Sequence, residues 1–244
     1  WDDFAADASK VLKQHFGVAS LEGFGLVKMP EATKASAALI GYLRHTQKDN
    51  IQHVRSLSTY SPEEFVRLDQ NTIANLELFS TIREQDHKGS LLSVLDHTVT
   101  AMGGRLLRAW IRKPLTRGED ISKRLDAVEE LVASRSFRSE LSELLKEVND
   151  IERTLSRLSV GIGNARDLVS LKQSLVQAGR AHGHLEAART PLLKTLYKEF
   201  PKDISLVTKW IEKRIVDDPP LDTKAGGMMC DGINKTLDTL RGHA

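Results

Sequence analysis

Apolar residues recur three and four apart along most of this chain, which is the spacing of one face of an α-helix. Phe4, Ala8, Val11, Leu12 and Phe16 share one such face behind Asp2 and Asp3, acids that suit a helix N-terminus. Gly17 and the pair Gly23 and Gly25 interrupt the pattern. Pro30, well placed at a first helical position, opens a second stretch of small and apolar residues from Ala35 to Leu43. Ile51, Val54 and Leu57 alternate only in part, so they read as a strand or an extended link before Tyr60–Ser61–Pro62.

From Asp69 onward the pattern is helical almost throughout. Asp69 is placed to cap a helix carrying Ile73, Leu76 and Leu78, and Thr100 to cap one with Met102, Leu106 and Trp110 turned inward until Pro114 stops it. Further helices are marked by Ile121–Leu125–Val128–Val132, Leu141–Leu144–Leu145–Val148 and Ile151–Leu155–Leu158. Asn164 can cap a helix bearing Leu168, Leu171 and Leu175. After Pro191 a short helix is expected, then a clear one marked by Ile204, Val207, Ile211 and Ile215. Asp218–Pro219–Pro220 and Gly226–Gly227 break the pattern, and Ile233, Leu237 and Leu240 resume it. The expected fold is therefore mainly α, with a short α/β segment at the front. Borders are expected near Ser58–Pro62 and near Pro219–Met229, and no fixed repeat is visible.

Composition narrows the class. The 244 residues are 40% hydrophobic, 28% charged and only 5% aromatic, as in a globular protein packed by aliphatic side chains. A net charge of +2 is too small to define a nucleic-acid surface, though a local basic stripe remains open. The single Cys230 allows no intrachain disulfide, which fits a reducing compartment and a cytoplasmic location. No apolar run approaches the roughly 20 residues needed to cross a bilayer, so no membrane partner is expected. The chain begins at Trp1, as an excised or truncated segment would.

Chemistry-bearing motifs are few. No G-x-x-x-x-G-K-[ST] phosphate loop occurs, and Lys88–Gly89–Ser90, Gly103–Gly104–Arg105 and Gly161–Ile162–Gly163 have the wrong order or spacing. They read as turns or close-packing glycines. His182 and His184, two apart, diverge on a helix and read as solvated side chains. Cys230 has no ligand-spaced neighbour, and Asp217–Asp218 before two prolines reads as a turn former. No G-x-S-x-G elbow is present. Catalytic, cofactor-binding and metal residues are therefore not assigned. The most pronounced charge pattern is Arg105, Arg108 and Arg112 on one helix, followed by Lys113 and Arg117. It is either a stripe contacting DNA phosphates or an exposed or interdomain face paired to acids of a neighbouring helix. Arg153 and Arg157, flanking Glu152, read as helix support.

Three runs carry a resemblance. Leu68-Asp69-Gln70-Asn71-Thr72-Ile73-Ala74-Asn75-Leu76-Glu77-Leu78 resembles the L/M-D-x-x-T-x-x-N-L-E-L with which the core domain of the MutS family begins. Residues 89–103 resemble its G-S-L-L-x-x-L-D-x-T-x-T-x-M-G, and residues 105–115 its R-L-L-R-x-W-L-x-x-P-L. Asp150 through Leu158 is similar to D-I-E-R-x-L-x-R-L, and Asp218–Pro219–Pro220, Gly226–Gly227, Gly232–Ile233–Asn234 and Leu237–Asp238–Thr239–Leu240–Arg241 resemble the approach to the family's clamp.

The resemblance implies the end of a connector domain in 1–60, a core or lever bundle in 61–228 and the start of a lever or clamp helix in 229–244. It implies a mismatch-repair parent, a homodimer in the cytoplasm that binds mismatched duplex DNA and MutL and hydrolyses ATP with Mg. The family's mismatch-reading Phe-x-Glu and its phosphate loop are not found in these 244 residues. The implied role for this chain is a structural and allosteric-coupling one, without ATP turnover or cofactor of its own. The alternative is a helical nucleic-acid module using the Arg105–Arg117 face. Asp69, Thr100, Trp110, Pro114 and Arg153 are implied to be structural.

Overall fold

The computed structural model describes residues 7–26, 28–47, 51–52, 54–59 and 62–242. It divides into two compact units, Trp1–Pro62 and Glu63–Ala244. In the first, α1 (Ala8–Phe16) packs on α2 (Pro30–Thr46). Asp7 caps α1 by accepting from the Lys10 N–H, and Gly17 ends it in the left-handed conformation, φ 66°, returning its N–H to the Lys13 carbonyl. Asp2, Asp3 and Phe4, expected to open this helix, lie outside the described residues, as do Tyr60 and Ser61. Leu12, Leu21, Leu26, Ala37, Ile40 and Ile51 form the core of this unit. Residues 54–59 have no regular secondary structure and no strand pairing among the described residues, so the segment of Val54 and Leu57 is a link. Its role is to cover the core, since Val54 and Leu57 pack on the cluster around Leu12.

The second unit is helical. Its elements are α3 (Gln70–Asn75), α4 (Leu91–Leu95), α5 (Ala101–Arg112), α6 (Gly118–Ala133), α7 (Arg135–Lys146), α8 (Ile151–Ser159), α9 (Ala165–His184), α10 (Pro191–Glu199), α11 (Ile204–Arg214) and α12 (Lys235–Gly242). The 20-residue α9 is its spine, packing against α7, α8 and α11. Ala165, Val169 and Leu171 of α9 meet Ile211 and Ile215 in one buried cluster. Ala127 of α6, Ala188 and Leu193 of α10 form a second.

Caps expected from the sequence are made. Asp69 accepts from the Thr72 N–H at 2.6 Å and Thr100 from the Gly103 N–H at 3.0 Å. Asn164 and Asp167 exchange side-chain-to-backbone bonds in a capping box. Helix α5 ends at Arg112, and Pro114 follows it, its carbonyl accepting from the Val66 N–H.

Two expectations change. Leu76 and Leu78 do not continue α3, which stops at Asn75. Glu77 turns the chain with φ 48°, its carboxylate accepts from the Ile82 N–H, and its carbonyl accepts from Leu91. The turn buries Leu78 and exposes Leu76, because helix periodicity ends where the backbone leaves the helix. Second, the face of Leu106 and Trp110 is not inward: they are 52% and 40% exposed, and no residue of α5 is buried. The amphipathic pattern alone therefore did not determine which side is covered.

Candidate functional site

The ordered chemistry of this protein lies where α5, α8 and α9 meet. Arg105 projects from the second turn of α5 onto the start of α8. Its Nη1 and Nη2 donate to the two Asp150 carboxylate oxygens, both at 2.7 Å, and Nη2 and Nε donate to Glu152 Oε2 at 2.6 and 3.1 Å. This bidentate fork is the strong form of an arginine–carboxylate pair. Asp150 also caps α8 by accepting from the Arg153 N–H at 3.1 Å. The Arg105 guanidinium, and after it the Arg153 N–H, pull the Asp150 carboxyl down to about 2, and Arg105 is raised in turn.

The pattern continues into α9. Arg157 pairs with Asp167 at 3.1 Å, the same carboxylate that closes the capping box. Lys172 pairs with Asp217 at 2.7 Å, and Arg166 reaches Asp218 at 3.7 Å and donates to the Pro219 carbonyl at 2.8 Å. The loop beginning at Asp217–Asp218 is thereby held against α9, with Pro219 buried, and is closed by an antiparallel bridge between Ile215 and Met229. Asp217 and Asp218 lie in a bend, in line with the turn former read from the sequence, and these acids also bind α9.

The basic stripe is divided by this geometry. Arg105 is consumed by Asp150 and Glu152. Arg108 and Arg112 both lie over the Phe79 ring, 5.4 and 5.3 Å from its centroid. Arg117 lies within 3.8 Å of Glu119 and Asp120 carboxylates. Trp110 stacks under Arg124 at 3.8 Å. Of the two arginines read as helix support, Arg153 contributes its N–H to the Asp150 cap and Arg157 pairs with the Asp167 carboxylate.

The glycine runs make no phosphate cradle. A Cβ at Gly103 or Gly104 would meet Thr100 Oγ1 at 2.9 Å or Thr98 Oγ1 at 3.2 Å, so these glycines let α5 pack on the turn before it. Gly163 faces Leu158 in the same way. His182 is not simply solvated: it stacks between Tyr197 and Phe200, 4.5 and 4.2 Å away, and bonds the Tyr197 carbonyl. Among the described residues no group of three His, Cys, Asp or Glu side chains could hold a metal ion, and no helix is long and apolar enough to cross a membrane.

Replacing Asp150 by Asn should isolate the ion pair from the cap, because Asn caps a helix as well as Asp does. Asp150 has a depressed folded-state pKa. Its stabilising pairing is therefore present above the ordinary value of 3.8 and is lost as pH falls toward about 2. The expected result is a lower denaturation midpoint for Asp150→Asn at pH 7, converging on the parent as pH drops from 4 to 2. A gap unchanged across that range would show that the pairing is not its source.

From the sequence Glu130, paired with Glu129, reads only as a helical surface acid, and Phe79, Arg124, Arg166 and Lys172 carry no mark. Each acts on a residue well along the chain, such as Lys172 on Asp217, 45 positions away, and local spacing carries no signal for that. Glu130, on α6, accepts from the Arg189 and Thr190 N–H groups at 2.7 and 2.8 Å and so caps α10 from another helix.

Fold and site together define a mainly α scaffold whose charged residues fasten helices and cap their ends. A family model for MutS domain III matches residues 71–238, and one for MutS domain II matches residues 1–55. The chain belongs to the MutS family. It is 43% identical over 234 residues to the DNA mismatch repair protein MutS of Halothermothrix orenii, covering 96% of this chain and 26% of that protein. It is 45% identical over 207 residues to the MutS of Acetivibrio thermocellus, covering 85% and 24%, and 39% identical over 247 residues to that of Methanosarcina barkeri, covering 97% and 27%. The chain thus spans about a quarter of the length of the curated relatives it matches.

Proposed function

We propose that this chain is the structural and coupling segment of a MutS-like mismatch-recognition protein. In this reading residues 1–60 end the connector, 61–228 form the core or lever, and 229–244 begin the lever helix toward the clamp. The observation that supports it is the use made of the family's motif residues: Asp69, Thr100, Arg105, Asp150 and Arg157 serve as caps and interhelix ion pairs. Such fastenings make α5, α8 and α9 move as one body. Rigid elements of that kind carry coupling between distant sites. The parent protein would bind mismatched duplex DNA, hydrolyse ATP with Mg, associate with MutL and with a second copy of itself, and act in the cytoplasm, using parts beyond these residues for recognition and hydrolysis.

The test is a fluorescence titration of the 244-residue chain with matched and mismatched duplexes, together with an assay of phosphate release from ATP. Weak binding without mismatch preference, and no release above buffer, is the expected result. Tight mismatch-selective binding or ATP turnover would overturn the reading. Binding that falls steeply with salt and disappears in a chain with Arg108 and Arg112 changed to Gln would replace it by a nucleic-acid-binding module.

A further inference from the structure

We propose that the first unit contains a binding site for an organic phosphate, in the cavity at the C-terminal ends of α1 and α2. The cavity measures about 520 Å³, inside the roughly 300–1,000 Å³ range of small-molecule sites. Two guanidiniums line it: Arg44 from the last turn of α2 and Arg55 from the link of residues 54–59. His15, from the last turn of α1, completes the basic side. Among the described residues, no carboxylate lines the cavity and none forms an ion pair with either arginine.

The arrangement is held in place. The Val54 carbonyl can only accept, so His15 Nε2 carries a proton and donates to it at 2.8 Å. Arg44 Nη2 lies 3.4 Å from the other ring nitrogen, Nδ1. One edge of the guanidinium is thereby anchored while its other N–H groups remain to bind a ligand. The carbonyl ends of α1 and α2 contribute about half a negative charge each, which leaves a positive surplus against two full cations. A dianionic phosphoryl group offers the acceptors and charge that two planar forks recognise. The cavity exceeds a bare phosphate, and Phe16, Ile51 and Val54 give it an apolar wall for an organic body.

Isothermal titration of the 244-residue chain with inorganic phosphate and with adenosine monophosphate, at fixed ionic strength, tests the site. Saturable binding of the nucleotide, tighter than that of inorganic phosphate, is expected. Arg44→Gln and Arg55→Gln should each weaken it by roughly tenfold or more, since each removes charge-assisted hydrogen bonds. Lys34→Gln, on the exposed side of α2, should leave it unchanged. Equal affinity for both probes would support the phosphoryl chemistry with free phosphate as its source. No saturation by either probe, or equal binding by the parent, Arg44→Gln and Arg55→Gln, overturns the proposal. Arg55 is exposed, so its variant reports even if Arg44→Gln unfolds the unit.

Discussion

Ile211→Ala is expected to destabilise the helical unit by about 2–5 kcal/mol, the range for removing a large aliphatic side chain from a closed core. Ile211 is 2% exposed and lies between α9 and α11, with Ala165, Val169, Leu171 and Ile215 buried beside it and Leu168, Leu175 and Met228 around them. Helices of fixed backbone cannot close over the lost methylenes, so a cavity term adds to the lost transfer energy. The same cluster holds the loop that carries Met228 and Met229, so the bridge at Ile215 should loosen with it. The matched control is Leu206→Ala on the same helix. Leu206 is 64% exposed, and its replacement should stay within about 0.5 kcal/mol. Chemical denaturation followed by far-ultraviolet circular dichroism measures both. Similar losses for the two variants would show that α11 does not bury the face assigned to it.

Glu130→Ala should cost about 0.5–2 kcal/mol, the range for losing the acceptor that caps a helix start. The two N–H groups at the start of α10 have no acceptor within their own helix, and Pro191 at its first position offers none. The Glu130 carboxylate takes both, and the negative charge also suits the positive end of the helix dipole. Desolvation opposes its ionisation, but the hydrogen bonds from Thr190 and Arg189 outweigh this and set its pKa below the ordinary value. The stabilisation is therefore full above the ordinary carboxylate range and lost as pH falls through the depressed value. Glu130→Gln keeps an acceptor oxygen and loses the charge, so it should fall between the parent and the alanine variant. Hydrogen exchange at the Arg189 and Thr190 amides gives the local readout: protection should drop first there. Unchanged protection in Glu130→Ala would show that another group caps α10.

Both predictions concern contacts between helices, and these are what the sequence left open. Asp69, Thr100 and Asn164 were legible as caps because a cap acts within three residues of itself. Pro114 and Pro191 were legible because proline restricts its own backbone. Arg105 was legible as the head of a basic stripe, but its acids 45 and 47 positions later were not, and the stripe dissolved once they were placed. The reverse holds for Glu130, which lies among other surface acids and has no local mark. The exposed apolar stripe of α6, with Leu125, Val128 and Val132 open, follows the same rule: its period was clear, its partner was not.

Local chemistry thus settled the helical class, the positions of most helix starts and stops, and, through three runs between Leu68 and Leu115, the MutS family. Those features depend on residues within a few positions of one another, where propensity, capping and backbone restriction act directly. Which side of α5 is covered, which arginine is consumed by Asp150, and which carboxylate caps α10 were decided only by the tertiary structure. They depend on burial and on charge pairs formed across many residues, and no periodicity along the chain encodes the distance between two helices once they pack.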